Sequence, residues 1–62
     1  MFKIDKLFVI NILNNRVDRT IVKALIEMAQ KLGKIIIAEG VETKEQLTFL
    51  QAIGCGEIQV MF

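Results

Sequence analysis

Two carboxylates three residues apart, Glu39 and Glu42, form the most chemically suggestive feature of the sequence. They stand in the tetrapeptide Glu39-Gly40-Val41-Glu42, which directly follows the apolar run Lys34-Ile35-Ile36-Ile37-Ala38. Such a run is typical of a parallel strand covered on both faces, and ligands of α/β proteins bind at the rim where these strands end. Carboxylates at that rim can accept a proton or orient a bound group. We therefore interpret the tetrapeptide as part of a candidate site.

A long amphipathic segment upstream predicts a helix from about Val17 to Leu32. Its apolar residues recur at the spacing of a helix that packs through one wide face. These residues are Ile21, Val22, Leu25, Ile26, Met28, Ala29 and Leu32. Asp18 is a candidate N-cap, and Gly33 can adopt the left-handed conformation that ends many helices. The apolar stretch 7–13 has no clear period and predicts a loop that can include a short helix.

Three short strands complete the predicted elements, at Met1–Asp5, Lys34–Glu39 and Ile58–Phe62. A second helix is predicted to begin at the capping box Thr43-Lys44-Glu45-Gln46 and to end at Gly54. The order is therefore β-α-β-α-β. This order predicts an α/β fold in which parallel strands are joined by helical crossovers.

Parallel strands direct their carboxyl ends to one rim, so we expect Lys3 or Asp5, Glu39 and Gln59 to converge there. Neighbouring strands lie about 4.8 Å apart, which brings side chains at successive strand ends within reach of one another. The predicted site is thus a polar cluster of a lysine, carboxylates and an amide.

Length, charge and composition exclude several classes of protein. The 62 residues form one small unit, and a single cysteine with no histidine excludes an internal disulfide and a histidine-based zinc site. The net charge of +1 predicts no nucleic-acid partner, and no apolar run is long enough to insert into a membrane, so we expect a cytoplasmic protein. The hydrophobic share of 53% predicts a partner surface. Cys55 is interpreted as a small hydrophobe.

Several motifs occur in order along the sequence. They are Lys3-Ile4-Asp5-Lys6-Leu7-Phe8-Val9, Asp18, Ile21-Val22, Ala24, Leu32-Gly33, Ala38-Glu39-Gly40-Val41-Glu42-Thr43, Glu45-Gln46, Leu50, Gly54-Cys55 and Gln59. Together they resemble the last third of an EAL domain, the cyclic di-GMP phosphodiesterase. The resemblance implies that residues 1–62 are a C-terminal fragment of such a domain, with a β-α-β-α-β fold taken from a (β/α)8 TIM-like barrel.

The resemblance also implies a reaction and a role for each rim residue. In the family, Mg²⁺ or Mn²⁺ activates a water that opens cyclic di-GMP to linear pGpG. Lys3 corresponds to the lysine that contacts the water and phosphate, and Glu39 to the glutamate that acts as general base or as an outer partner of the metal site. Glu42 resembles the glutamate that steadies a neighbouring loop, and Gln59 the glutamine near the metals or substrate. Asp5 matches an aspartate whose role can be structural.

Departures from the family pattern predict that the isolated chain is inactive. The sequence lacks the Glu-Ala-Leu segment, the asparagine and glutamate of the middle strands, and the paired aspartates, which supply most metal ligands in the family. We therefore expect this chain alone to bind no metal ion. Gln59-Val60-Met61 also replaces the family's Gln-Gly-Tyr turn, which removes a glycine that lets backbone approach the substrate.

Two alternatives stay open. The chain could be a non-catalytic module of cyclic di-GMP signalling that forms a homo-oligomer, or pairs with a complementary barrel fragment, through its exposed strand edges. It could also be an unrelated small domain, in which Glu39 and Glu42 are solvated residues near a helix N-terminus and need no ligand.

Overall fold

The computed structural model describes residues 2–62, which form three strands and three helices. The elements are β1 (Phe2–Ile4), α1 (Lys6–Ile10), α2 (Arg16–Lys31), β2 (Ile36–Val41), α3 (Lys44–Ala52) and β3 (Glu57–Val60). The strands form one sheet in the order β1-β2-β3, and both pairings are parallel. The predicted α/β fold is therefore confirmed, with α1 as the short helix in the stretch that follows β1. Met1, the first residue of the predicted first strand, lies outside the described residues.

The pleat of the sheet separates two faces. Ile4, Ala38 and Ile58 lie in register across the strands and face the helices. The residue before each of them alternates to the other side. Lys3, Ile37 and Glu57 therefore lie in register on the opposite surface, which we call the open face.

A core of aliphatic side chains fills the space between the sheet and the helices. Its fully packed members are Ile4, Val9, Ile12, Val22, Ile26, Ala29, Ile36, Ala38, Val41 and Leu50. α2 contributes Val22, Ile26 and Ala29, whose spacing of four and then three residues follows the predicted apolar stripe. Met28 and Leu32, from the same stripe, are 47% and 57% exposed, so the stripe is wider than the face that this core covers.

The helix ends agree with the sequence except at one cap. α2 begins after Asn15, whose side-chain oxygen accepts a hydrogen bond from the Asp18 amide at 3.0 Å. The prediction that Asp18 is the N-cap was wrong, because Asn15 has the extended backbone of a cap and Asp18 lies in the first helical turn. The capping box of Thr43 and Gln46 at α3 is confirmed, and Gly33 has the expected positive φ of 66°.

Two strands are displaced from their predicted bounds. β2 covers Ile36–Val41 instead of 34–39, because the Lys34 amide still donates to the Ala29 carbonyl at the end of α2. β3 covers Glu57–Val60 instead of 58–62. Glu39 therefore lies inside β2 and not at its last residue. None of the helices among residues 2–62 combines the length and apolarity needed to cross a bilayer.

The same isoleucine-to-valine change should lower the free energy of unfolding by different amounts inside and outside the core. Ile26→Val removes one methyl group from a side chain that is 1% exposed, and we expect it to lower the free energy of unfolding by about 0.5–1.5 kcal/mol. Ile35→Val removes the same group from a side chain that is 53% exposed, so its effect should stay within about 0.5 kcal/mol. Urea denaturation measures both values. Equal losses would show that Ile26 does not lie in a packed core.

Candidate functional site

The carboxyl ends of the three strands surround a cavity of about 370 Å³. Its lining residues are Asp5, Lys6, Glu39, Gly40, Gln59 and Met61. Asp5 directly follows β1, Glu39 lies in β2 and Gln59 lies in β3, so each strand supplies one polar side chain. We call this cavity the rim cavity. The structure thus brings Asp5, Glu39 and Gln59 together, as the parallel order predicts.

Lys3 lies on the same face of the sheet as Glu39, but further from the carboxyl ends of the strands. It pairs with Ile37, two residues before Glu39, and its side chain is exposed on the open face. The lysine that lines the rim cavity is instead Lys6, the first residue of α1. Within residues 2–62, Lys6 therefore lines the rim cavity, and Lys3 lies on the open face.

Asp5 has a structural partner within the chain. Its carboxylate accepts a hydrogen bond from the Leu7 amide at 2.9 Å and caps the first turn of α1. Removing this side chain would free an amide at the start of α1. Asp5 therefore joins the end of β1 to the helix that carries Lys6 toward the cavity.

Gly40 interrupts the alternation of side chains directly after Glu39. Ala38 pairs with Ile58, but pairing resumes at Val41 with Val60, so β2 contains one residue more than β3 over this interval. Gly40 has a φ of 70°, which costs little only for glycine. This bulge returns Val41 to the core, where it is fully buried, and leaves Glu39 at the rim cavity.

Glu42 lies beside the rim cavity and not in it. It lines a neighbouring groove of about 190 Å³ with Leu7 and Ile10 of α1, and this groove shares Lys6, Gly40 and Met61 with the rim cavity. The two carboxylates of the tetrapeptide therefore face adjacent spaces. The bulge at Gly40 separates them.

The polar groups of the rim do not fit a complete metal site. Among residues 2–62, no three or more histidine, cysteine, aspartate or glutamate side chains are grouped closely enough to hold an ion. Magnesium and manganese prefer a shell of several oxygen ligands. Asp5, Glu39 and the amide of Gln59 alone would leave most of that shell to other donors.

Cys55 has the environment of an unreactive thiol. Burial raises the pKa of the Cys55 thiol, and backbone hydrogen bonds at Glu57 and Ala38 oppose this rise. Its sulfur lies 3.2 Å from the Glu57 carbonyl oxygen, to which the thiol can donate. A raised pKa keeps the thiol protonated near neutral pH, and the thiolate is the nucleophile. This environment agrees with the interpretation of Cys55 as a small hydrophobe.

Sequence reasoning missed the contributions of Lys6, Gly40 and Met61 to the cavity. Lys6 comes two residues after the end of β1 and Met61 directly after the end of β3, where the chain leaves the sheet at the rim. That position was a usable signal. The bulge at Gly40 had a weaker one, a glycine within a strand, which often marks an irregularity in pairing.

Comparisons with known proteins agree with this architecture. The model of the EAL domain family matches residues 1–59. The solved structure of the Pseudomonas aeruginosa MucR phosphodiesterase in complex with c-di-GMP is similar with a TM-score of 0.88 and 38% sequence identity. That match covers 94% of this chain and 24% of the other. The chain belongs to the EAL domain family, and its three parallel strands correspond to a segment of that domain's barrel.

Curated relatives show the same family. The chain is 44% identical over 57 residues to the cyclic di-GMP phosphodiesterase NbdA of P. aeruginosa and 42% identical over 60 residues to the oxygen sensor protein DosP of Escherichia coli. These alignments cover 92% and 97% of the chain, but only 7% and 8% of the two relatives. The chain thus spans less than a tenth of their length.

Two alanine substitutions separate backbone strain from steric conflict at the bulge. Gly33→Ala and Gly40→Ala both place a side chain at positive φ, 66° and 70°, which costs about 1–2 kcal/mol. At Gly33 the new Cβ meets nothing within 4 Å, whereas at Gly40 it would lie 2.5 Å from Lys6 Cβ. We therefore expect Gly40→Ala to lower the free energy of unfolding by about 1–3 kcal/mol more than Gly33→Ala. Urea denaturation measures the difference, and its absence would mean that α1 does not press against the bulge.

Proposed function

We propose that residues 1–62 act as the carboxyl-terminal part of a cyclic di-GMP phosphodiesterase domain and supply one side of its active site. The observation that carries this proposal is the rim cavity, in which Asp5, Glu39 and Gln59 meet at the carboxyl ends of parallel strands. In barrels of this type the active site occupies that rim. The relatives named as phosphodiesterases support cyclic di-GMP as the substrate.

The chemical types of the side chains fit this substrate. Glu39 is half-buried at the cavity and is suited to accept a proton from, or to orient, the water that attacks the phosphodiester. Lys3 offers a compact positive charge to a phosphate from the open face. The amide of Gln59 can donate to a phosphate oxygen or accept from the water. Glu42, in the groove beside the rim cavity, is suited to steady a neighbouring loop of the active site.

The chain alone should not catalyse the reaction. Metal-dependent hydrolysis needs a shell of ligands that residues 2–62 do not form. The sheet of residues 2–62 also has three strands, so bulk water reaches the polar groups that a closed site would shield. Activity is therefore a property of an assembly in which other strands complete the rim.

A chimaeric domain tests this proposal. The chain would replace the corresponding segment of the MucR phosphodiesterase, with which it shares the fold at a TM-score of 0.88. We expect the chimaera to hydrolyse cyclic di-GMP in the presence of Mn²⁺, and Glu39→Gln to lower kcat by about 10²–10⁴-fold because a general base is lost. Steady-state assays of pGpG formation measure the rates.

Two controls make the result decisive. Glu27→Gln changes the same functional group on the exposed side of α2 and should leave the rate unchanged. The isolated chain with Mn²⁺ should show no turnover. Turnover by the isolated chain, or a chimaera that is indifferent to Glu39→Gln, would contradict the proposal.

A second candidate function is that of an assembly module. β1 and β3 are the outer strands of the sheet formed by residues 2–62, and several large apolar side chains near the rim are exposed, including Leu7 at 68% and Met61 at 72%. Unpaired strand edges and apolar surface favour pairing with a second copy or with a complementary barrel fragment. A cytoplasmic location stays a prediction for either candidate.

The assembly module predicts a mass in solution that is a multiple of 7.0 kDa. A lysine at an exposed strand edge opposes pairing between sheets, so Val60→Lys in β3 should shift the population toward the monomer. Val17→Lys introduces the same charge at an exposed site in α2 and should have little effect. Light scattering over a range of concentrations measures the mass. A monomer at every concentration would exclude pairing between copies of the chain.

A further inference from the structure

Gln46 is the one buried polar or charged side chain among residues 2–62, with 7% of its surface exposed. Its side-chain oxygen accepts two hydrogen bonds, from the Glu42 amide at 2.8 Å and from the Thr43 amide at 3.2 Å. Backbone amides can only donate, so the oxygen and nitrogen of this side chain are assigned without ambiguity. One buried oxygen thus holds two successive amides of the loop between β2 and α3.

The bond from Glu42 exceeds the requirements of helix capping. In a capping box, the third helical residue accepts from the amide of the cap residue, here Thr43, and the cap hydroxyl accepts in return. Gln46 meets that requirement, and its backbone amide donates to the Thr43 hydroxyl at 3.1 Å. The shorter bond reaches one residue further back, to Glu42, which precedes the cap.

The hydrogen bond from Glu42 to Gln46 lies directly after the bulge, at the start of the loop between β2 and α3. Gly40 takes the chain out of regular pairing, and Val41 returns it to the core. Glu42 is exposed and beyond β2, so its amide has left the parallel ladder. Val41 is held by packing and Glu42 by Gln46, which leaves the backbone little freedom between the two carboxylates.

We infer that Gln46 is a positioning residue, which fixes the backbone of Glu42 and thereby the direction of the second carboxylate at the groove beside the rim cavity. Glu42 is positioned because its backbone amide, outside the helix, is hydrogen-bonded at 2.8 Å to the side chain of Gln46, which is buried within α3. The position of the Glu42 backbone does not depend on any ligand. Its consequence for catalysis rests on the proposed function.

Three substitutions distinguish positioning from capping. Gln46→Met keeps a side chain of similar length and helix propensity but has no strong acceptor. Gln46→Glu keeps the acceptor, since glutamate and glutamine serve equally in a capping box. Thr43→Val removes the other half of the box and keeps the branched side chain, so it weakens the start of α3 while Gln46 still accepts from Glu42.

Amide hydrogen exchange of the 62-residue chain gives the first readout. We expect the Glu42 amide to exchange about tenfold faster in Gln46→Met, the factor that corresponds to the loss of one ordinary hydrogen bond. Gln46→Glu and Thr43→Val should stay within about twofold of the original chain. Protection of the Ala38 amide in the central strand reports that each variant is folded. Equal acceleration in Gln46→Met and Thr43→Val would overturn the inference, because Gln46 would then act only as a cap.

Kinetics of the MucR chimaera give the second readout. Gln46→Met should lower kcat about tenfold with little change in KM, and Gln46→Glu should restore the rate. An original chimaera without turnover would count against the proposed function, and the exchange data alone would then decide the role of Gln46. An active chimaera whose kcat is unaffected by Gln46→Met would overturn the catalytic consequence of the inference.

Discussion

The parallel pairing of β2 with a strand on each side is the constraint on which the rest of the structure depends. This pairing aligns Lys3, Ile37 and Glu57 on one face and Ile4, Ala38 and Ile58 on the other. The helices cover only the second face, so every residue of β2 must either enter the core or face away from it. The bulge at Gly40 changes this alternation once and allows Val41 to be buried while Glu39 stays at the rim.

The candidate site is a consequence of strand direction more than of any single motif. Asp5, Glu39 and Gln59 are far apart in the sequence and come together because three parallel strands end at the same rim. Local structure adds to this arrangement, because Asp5 caps α1, the bulge at Gly40 follows Glu39, and Gln46 accepts a hydrogen bond from the loop after β2. Strand direction thus brings the polar groups together, and these local contacts hold the segments next to them.

Membership of the EAL family gives these residues a chemical context. The match to the MucR phosphodiesterase covers 24% of that chain, and the rim cavity has two carboxylates and one amide from its three strands. Val60 and Met61 also differ from the family's glycine and tyrosine, and Met61 lines both cavities. Family membership therefore rests on the whole segment, whereas the rim differs from the family pattern at these two residues.

The sequence by itself determined the order of the elements, the α3 capping box and the convergence of Asp5, Glu39 and Gln59, because periodicity and capping act over a few residues and parallel strands share a direction. Tertiary structure decided that Lys6 and not Lys3 lines the rim cavity, and that the pairing of β2 is interrupted at Gly40. The interruption at Gly40 depends on which pairing buries more apolar surface, and Val41 illustrates this dependence. Its burial requires the extra residue at Gly40, and no local pattern shows that requirement before the strands are paired.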